Sequence, residues 1–552
     1  GESVTFTYVG SVNQCTTSEA MVSISGGHTG TVNFNTGTLT ATNGTGLQFD
    51  NADGTYNFNG TVTLNGGDAG IDILNGSGGI FSFPSININN TAGTGVNISS
   101  SSAGITFASL GVTTTNGSCI IANEHTGSFT VTNGTGNLSA TNGAAINFFR
   151  ASGFTQIDLK FTNITVTNSP NYGIRLDNVG GTGLSITGAT TTLGLSSGTN
   201  NNILFENING GTYAISSSGI LNINGRRDFG IYLLAVTGST VSFGNTTINN
   251  PNSLTVPAIR INSCSGAITF AQTNINMGGF GSYETFAIEY TPDDNSGNGD
   301  AIYVTGFTGT AFNINGGTIE NAADDGIDIR SSSNFNLSNV IIEDVGLAVV
   351  PPCVSCNSSG VQAYNLTGTN NITNSTFRFG RLRNFFFSNA SGTSALNISG
   401  CTFNDTRTFG GTLATDNLQL YTSGSANVSF DIENSTFLKS ATHQINLVTW
   451  GNSVVPKFDV TGITMDNDGG DASGLHYDAV DNSNMSFNIM NNVMLHTQDE
   501  NIITISAANT AQVQGRIQDN PDMLFNTTPT DPMGMIGSVF GGIIGLFSAV
   551  VA

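Results

Sequence analysis

"ADDGIDIRSSSNFNLSNVIIEDVG", Ala323 to Gly346, decides the fold. In "GIDIR" the apolar residues Ile327 and Ile329 alternate with polar ones, the period-two pattern of a short strand with one buried face. Three serines and an asparagine follow. A second alternating run, "NFNLS", leads to another asparagine and then to a third apolar run, "VIIED". Three short strands separated by residues that tolerate left-handed or turn geometry make one coil, not a globular domain.

The same coil recurs along the chain. Counterparts of "GIDIR" include "GLQFD" at Gly46, "GIDIL" at Gly70, "GVNIS" at Gly95, "GIRLD" at Gly173, "AIRIN" at Ala258, "NLQLY" at Asn417 and "NIITI" at Asn501. Most steps are about 24 to 30 residues, the repeat length of a solenoid turn. In each, a small residue or Asn precedes the apolar pair. The pairs Ile71/Ile73, Ile174/Leu176, Ile259/Ile261, Ile327/Ile329 and Leu418/Leu420 are expected to stack in one register, with Phe49, Phe83, Phe107, Phe129 and Phe148 also facing inward.

Composition agrees. The 552 residues include 71 Gly and only 9% charged residues, too few helix formers for long helices, while 38% apolar residues exceed what a disordered chain carries. The expectation is an all-β chain, a right-handed parallel β-helix of about 18 coils with three short strands per coil. Residues 1–20 read as an N-terminal strand or cap. Residues 21–520 read as the repeat array, with insertions near 276–300 and 345–360, and 521–552 as a linker and apolar Gly-rich tail.

The alternation in "GIDIRSSSNFNLSNVIIEDVG" resembles the coil of right-handed parallel β-helix proteins of the pectate-lyase-like superfamily. The segment "GTGVNISSSSAGITFASLGVTTTNGS" resembles the repeats of large secreted bacterial β-strand-repeat surface proteins. The resemblance implies the fold. It spans lyases, glycosidases, tailspikes, adhesins and structural fibres, so it does not choose a function.

The residues argue against catalysis. Asp324 and Asp325 could imitate the Asp pair of glycosidases resembling polygalacturonases, but the chain has no Gly-His-Gly turn and no Arg-x-Lys strand. No nucleophile–base pair, phosphate loop or nucleotide fingerprint occurs, and no catalytic residue is assigned. Arg330 and Arg260 would be proton-abstracting bases only by position. Asp324, Asp325 and Asp328 are read instead as outward-facing and corner residues flanking buried Ile327 and Ile329. A formal charge of −23, from 14 Lys+Arg against 37 Asp+Glu, disfavours nucleic acid and anionic surfaces and favours cations.

No cofactor is required by this reading, and calcium is the one cation with candidate loops. Asp293, Asp294, Asn298 and Asp300 in "DDNSGNGD" place oxygen ligands at close spacing, and Asp466, Asp468 and Asp471 in "DNDGGD" form a second oxygen-rich turn. Six cysteines could form three disulfides outside a cell. Cys353 and Cys356 are the candidates for a local bridge, whereas Cys119 occupies a coil's small-residue slot and is expected as a buried thiol. Near the end, Gly537, Gly541 and Gly545 recur every four residues in an uncharged stretch, a close-packing pattern for assembly or anchoring. A membrane contact is possible only through 533–552.

The functional expectation is an extracellular structural protein, secreted or at the cell surface, that associates with copies of itself into a fibre or surface layer. The alternatives are an adhesin shaft that meets cell-surface glycans, and a polysaccharide lyase or hydrolase resembling a tailspike.

Overall fold

In a computed structural model the described residues are 3–90, 92–196, 200–225, 228–249, 256–277, 299–346, 358–406, 416–466, 473–495, 503–518, 522–523, 543–544 and 548–550. They contain strands and no helix. The pairings between turns are parallel, each strand lying beside its equivalent in the next turn, as in Ile302–Thr305 on Ile327–Arg330 and Ile327–Arg330 on Ser359–Tyr364. This is a parallel β-solenoid of about 16 turns. The number is slightly below the repeat count, and strands per turn vary. The second and third strands of a turn run together without a break in Ile80–Asn90, Gly104–Thr114 and Ser239–Asn249.

The chain forms two compact units: Gly1–Ser253 with Ile259–Ala271, and Leu254–Ala258 with Gln272–Ala552. Both are built alike. In the first, Ile71/Ile73, Ile174/Leu176 and Ile259/Ile261 are buried, and in the second Ile327/Ile329 and Leu418/Leu420 are. Register follows the alternation, with Ile146, Ile174 and Ile203 in one column and Ile302, Ile327 and Val361 in another. Phe49, Phe83, Phe107, Phe129 and Phe148 are buried as expected. Phe34, Phe58, Phe83 and Phe107 stack at 4.9, 4.9 and 4.7 Å between successive centroids, and Phe377, Phe403 and Phe437 repeat the ladder in the second unit at 4.9 and 4.7 Å.

Asparagine does three different jobs. At corners it takes positive φ, as at Asn339 (φ 55°) between Phe335–Ser338 and Val340–Val345, and Asn374 (φ 48°) at the same corner of the next turn. This is the left-handed region that Asn tolerates better than most side chains. On outward faces it forms amide ladders: Asn336 Nδ2 donates to Asn313 Oδ1 at 2.9 Å, Asn371 to Asn336 at 2.7 Å and Asn397 to Asn371 at 2.9 Å. Before the apolar pair it is buried. There Asn384 Nδ2 donates to Asn417 Oδ1 at 2.6 Å, and Asn417 Nδ2 donates to Gln444 Oε1 at 2.6 Å and to the Leu438 carbonyl at 2.8 Å. Where this slot holds Gly326 there is no room for more, since a Cβ would lie 2.5 Å from the Gly360 carbonyl oxygen and 2.5 Å from Ile342.

Cys119, Cys264 and Cys401 are buried free thiols and Cys15 is an exposed one, so these four do not form the disulfides the cysteine count allowed. Burial pushes the Cys119 thiol up to about 12. Cys353 and Cys356 lie outside the described residues, as do Gly537, Gly541 and Gly545. The described parts of the tail are strands: Ile543–Ile544 and Ser548–Val550 pair with Gln512–Gln518. No helix among the described residues is long and apolar enough to cross a membrane.

Candidate carboxylate site

Three successive turns of the second unit carry aligned segments, "GDAIYVT", "DDGIDIR" and "SSGVQAY". Because Ile302, Ile327 and Val361 are in register, Asp300, Asp325 and Ser359 occupy one corner column. Each carboxylate accepts the backbone N–H of the equivalent residue one turn on. The Asp325 N–H donates to Asp300 Oδ1 at 3.1 Å and the Ser359 N–H donates to Asp325 Oδ1 at 2.5 Å. The device recurs elsewhere: Asp416 Oδ1 accepts the His443 N–H at 3.1 Å, and Asn201 Oδ1 accepts the Phe229 N–H at 3.0 Å. A corner N–H removed from water needs an acceptor, and a short carboxylate or amide supplies it.

Asp328 joins the group from the outward face of its strand. Its column runs Tyr303, Asp328, Gln362, all buried. Carboxylate oxygens of Asp300, Asp325 and Asp328 lie within 4.8 Å of one another, at 2%, 1% and 2% exposure. Arg330 Nε donates to Asp328 Oδ1 and Oδ2 at 2.9 and 2.8 Å, and its guanidinium lies 4.8 Å from the Tyr364 ring centroid. Ser358 Oγ donates to Asp324 Oδ1 at 2.6 Å.

The expectation that Asp325 and Asp328 are outward or corner residues holds for their direction but not for exposure. Both point away from the Ile327/Ile329 core, yet both are covered. Of the two calcium loops only Asp300 and Asp466 are described, since Asp293, Asp294, Asn298, Asp468 and Asp471 lie outside the described residues. The structure brings Asp300 to Asp325 and Asp328, which sequence reading had placed in separate features. The signal was present, because Asp300 stands one 25-residue turn before Asp325.

Three carboxylates this close and this dry cannot all be charged beside one guanidinium. Burial, then the charges of Asp328 and Asp324, hold the Asp300 pKa well above the ordinary carboxylate value. Burial, then Asp324, Asp300 and Asp328, do the same for Asp325. The group is neutralised either by retained protons or by a bound cation, for which Asp300, Asp325 and Asp328 would be the ligands. Without a cation the sign is set. A carboxyl with a raised native pKa stabilises the fold below its unfolded pKa, and that stabilisation is lost as pH rises through the native value. In chelator the second unit should therefore melt at a lower temperature at pH 8 than at pH 5. Asp325→Asn, which keeps an acceptor for the Ser359 N–H, should flatten that dependence. An unchanged pH profile in the variant would show that these groups are ordinarily ionised.

Comparison with known protein families, with curated proteins and with solved structures finds no match for this chain.

Proposed function

We propose that the chain is an extracellular structural protein, secreted or held at the cell surface, whose solenoid associates with further copies into a fibre or surface layer. One observation carries the self-association in this reading. The strand Thr5–Val9 pairs along one edge with Thr31–Thr36, and Val12–Gln14 along one edge with Thr38–Ala41; no other described strand pairs with either. On this turn Val4, Phe6 and Val9 are 51%, 49% and 68% exposed. A ladder edge that no described strand covers, beside apolar side chains, is a template for another chain. A copy stacked here in the same parallel sense continues the ladder, and a repeated head-to-tail contact gives a filament.

The carboxylate site supports the same reading. Asp300 and Asp325 tie one turn to the next through backbone N–H groups, and Asp300, Asp325 and Asp328 are too enclosed for a polysaccharide chain to reach. Sedimentation and electron microscopy of the full chain test the proposal. The wild type should form large or filamentous species, whereas Phe6→Lys with Thr7→Pro, which charges the edge and removes a strand N–H, should remain small. Monomeric wild-type protein at high concentration, or equal assembly of the double variant, would refute this mode of association.

A further inference from the structure

In the first unit, three successive turns place glycine at the corner leading into the short strands: Gly93, Gly117 and Gly143. Their backbones stack so closely that a Cβ on Gly143 would lie 2.3 Å from the Gly117 carbonyl oxygen, and one on Gly117 2.2 Å from that of Gly93. At Gly93 the Asp68 side chain stands over the glycine, whereas the atoms nearest a Cβ on Gly117 or Gly143 are backbone. The next turn differs. Asn142 Nδ2 donates to Asn116 Oδ1 at 3.4 Å and Asn168 Nδ2 to Asn142 Oδ1 at 3.2 Å, which aligns the corners "NGSCI", "NGAAI" and "NSPNYGI". The third is two residues longer. Its extra residues build a ledge ending in Tyr172.

Between floor and ledge lies a cleft of about 200 Å³, bounded by Gly117, Ser118, Gly143, Asn147, Asn171 and Tyr172 among others. The Tyr172 ring is backed by the Arg175 guanidinium, 5.2 Å from its centroid, which also lies 4.3 Å from the Phe149 centroid and donates through Nη2 to Asp177 Oδ2 at 2.7 Å. Asn147 Oδ1 is enclosed and accepts no hydrogen bond, and on the adjacent turn, in direct register, Arg175 Nε is enclosed and donates none. Buried polar atoms of this kind mark a place where a partner is expected.

The lining selects the ligand. Among the described residues it contains no carboxylate, ammonium or guanidinium group, which disfavours ions, and its amides, hydroxyls and backbone disfavour lipid. Its volume is below the roughly 300–1,000 Å³ of sites that enclose drug-sized molecules, so it suits one ring. We propose that this cleft binds a single neutral sugar unit of a glycan, one hydroxyl meeting the side-chain amide of Asn147, which lines the cleft, and the sugar's C–H face lying against Tyr172. The site adds a glycan-contacting role to the solenoid and does not depend on its self-association.

Saturation-transfer NMR of the full chain with methyl glucoside, methyl galactoside and methyl mannoside in the millimolar range tests this. At least one should receive saturation on its ring protons. Asn147→Leu and Tyr172→Ala should each weaken that binding by about tenfold, the equivalent of one lost hydrogen bond or its apolar counterpart. Melting temperatures close to wild type would show that both variants fold, and Tyr172→Phe, which keeps the ring against Arg175, should retain binding. Absence of transfer to all three glycosides, or transfer undiminished in both folded variants, overturns the proposal.

Discussion

Replacing Ile327 by Asp should cost the second unit more stability than any other single change considered for it. Ile327 is fully buried, with Ile302 and Val361 directly above and below it in register. Losing such a side chain costs about 2–5 kcal/mol by itself. A carboxylate introduced without a partner adds several kcal/mol more or stays protonated. Ile327→Val, which keeps shape and hydrophobicity, should cost only about 0.5–1.5 kcal/mol. Because turns of a solenoid contact mainly their neighbours, amide exchange should accelerate first in Ile302–Thr305, Ile327–Arg330 and Ser359–Tyr364. Wild-type melting and exchange in Ile327→Asp would mean that this column is not a core.

The second large effect is expected from a polar residue. Asn417 is fully buried, accepts from Asn384 and donates to Gln444 and to the Leu438 carbonyl. Asn417→Leu preserves volume and raises hydrophobicity, so a purely apolar account of the core predicts no loss. The hydrogen-bond account predicts the opposite. Two acceptors lose their donor and Asn384 loses an acceptor in a place without water, at about 1–3 kcal/mol for each group left unmet. The sum should be roughly 4 kcal/mol in a denaturant titration of the full chain. A neutral or stabilising result would show that the buried amide ladder is dispensable.

These two residues mark different degrees of legibility. Ile327 was readable because alternation is local: its neighbours Gly326 and Asp328 define which way it points, and the repeat supplies a column of equivalents. Asn417 was readable only as a residue preferred in its slot. Its bonds reach residues 27 and 33 positions away, and no local pattern distinguishes an amide in such a ladder from one facing solvent. The cysteines show the same division. Cys119 could be assigned to the interior from its place in the coil, whereas pairing of Cys15, Cys264 and Cys401 depended on distances that spacing does not contain.

The sequence by itself determined that the chain is all-β, that it coils with a period of about 24 to 30 residues, and which side chains face inward. These follow from backbone sterics and period-two alternation, both properties of a few neighbouring residues. Only the tertiary structure decided that outward-pointing Asp328 is covered, that Asp300 meets Asp325 and Asp328, and that a two-residue longer corner raises Tyr172 beside Asn147. Strand direction is set locally, but exposure and pKa depend on everything else that packs over the strand. Such through-space terms appear only when turns far apart in the chain are stacked.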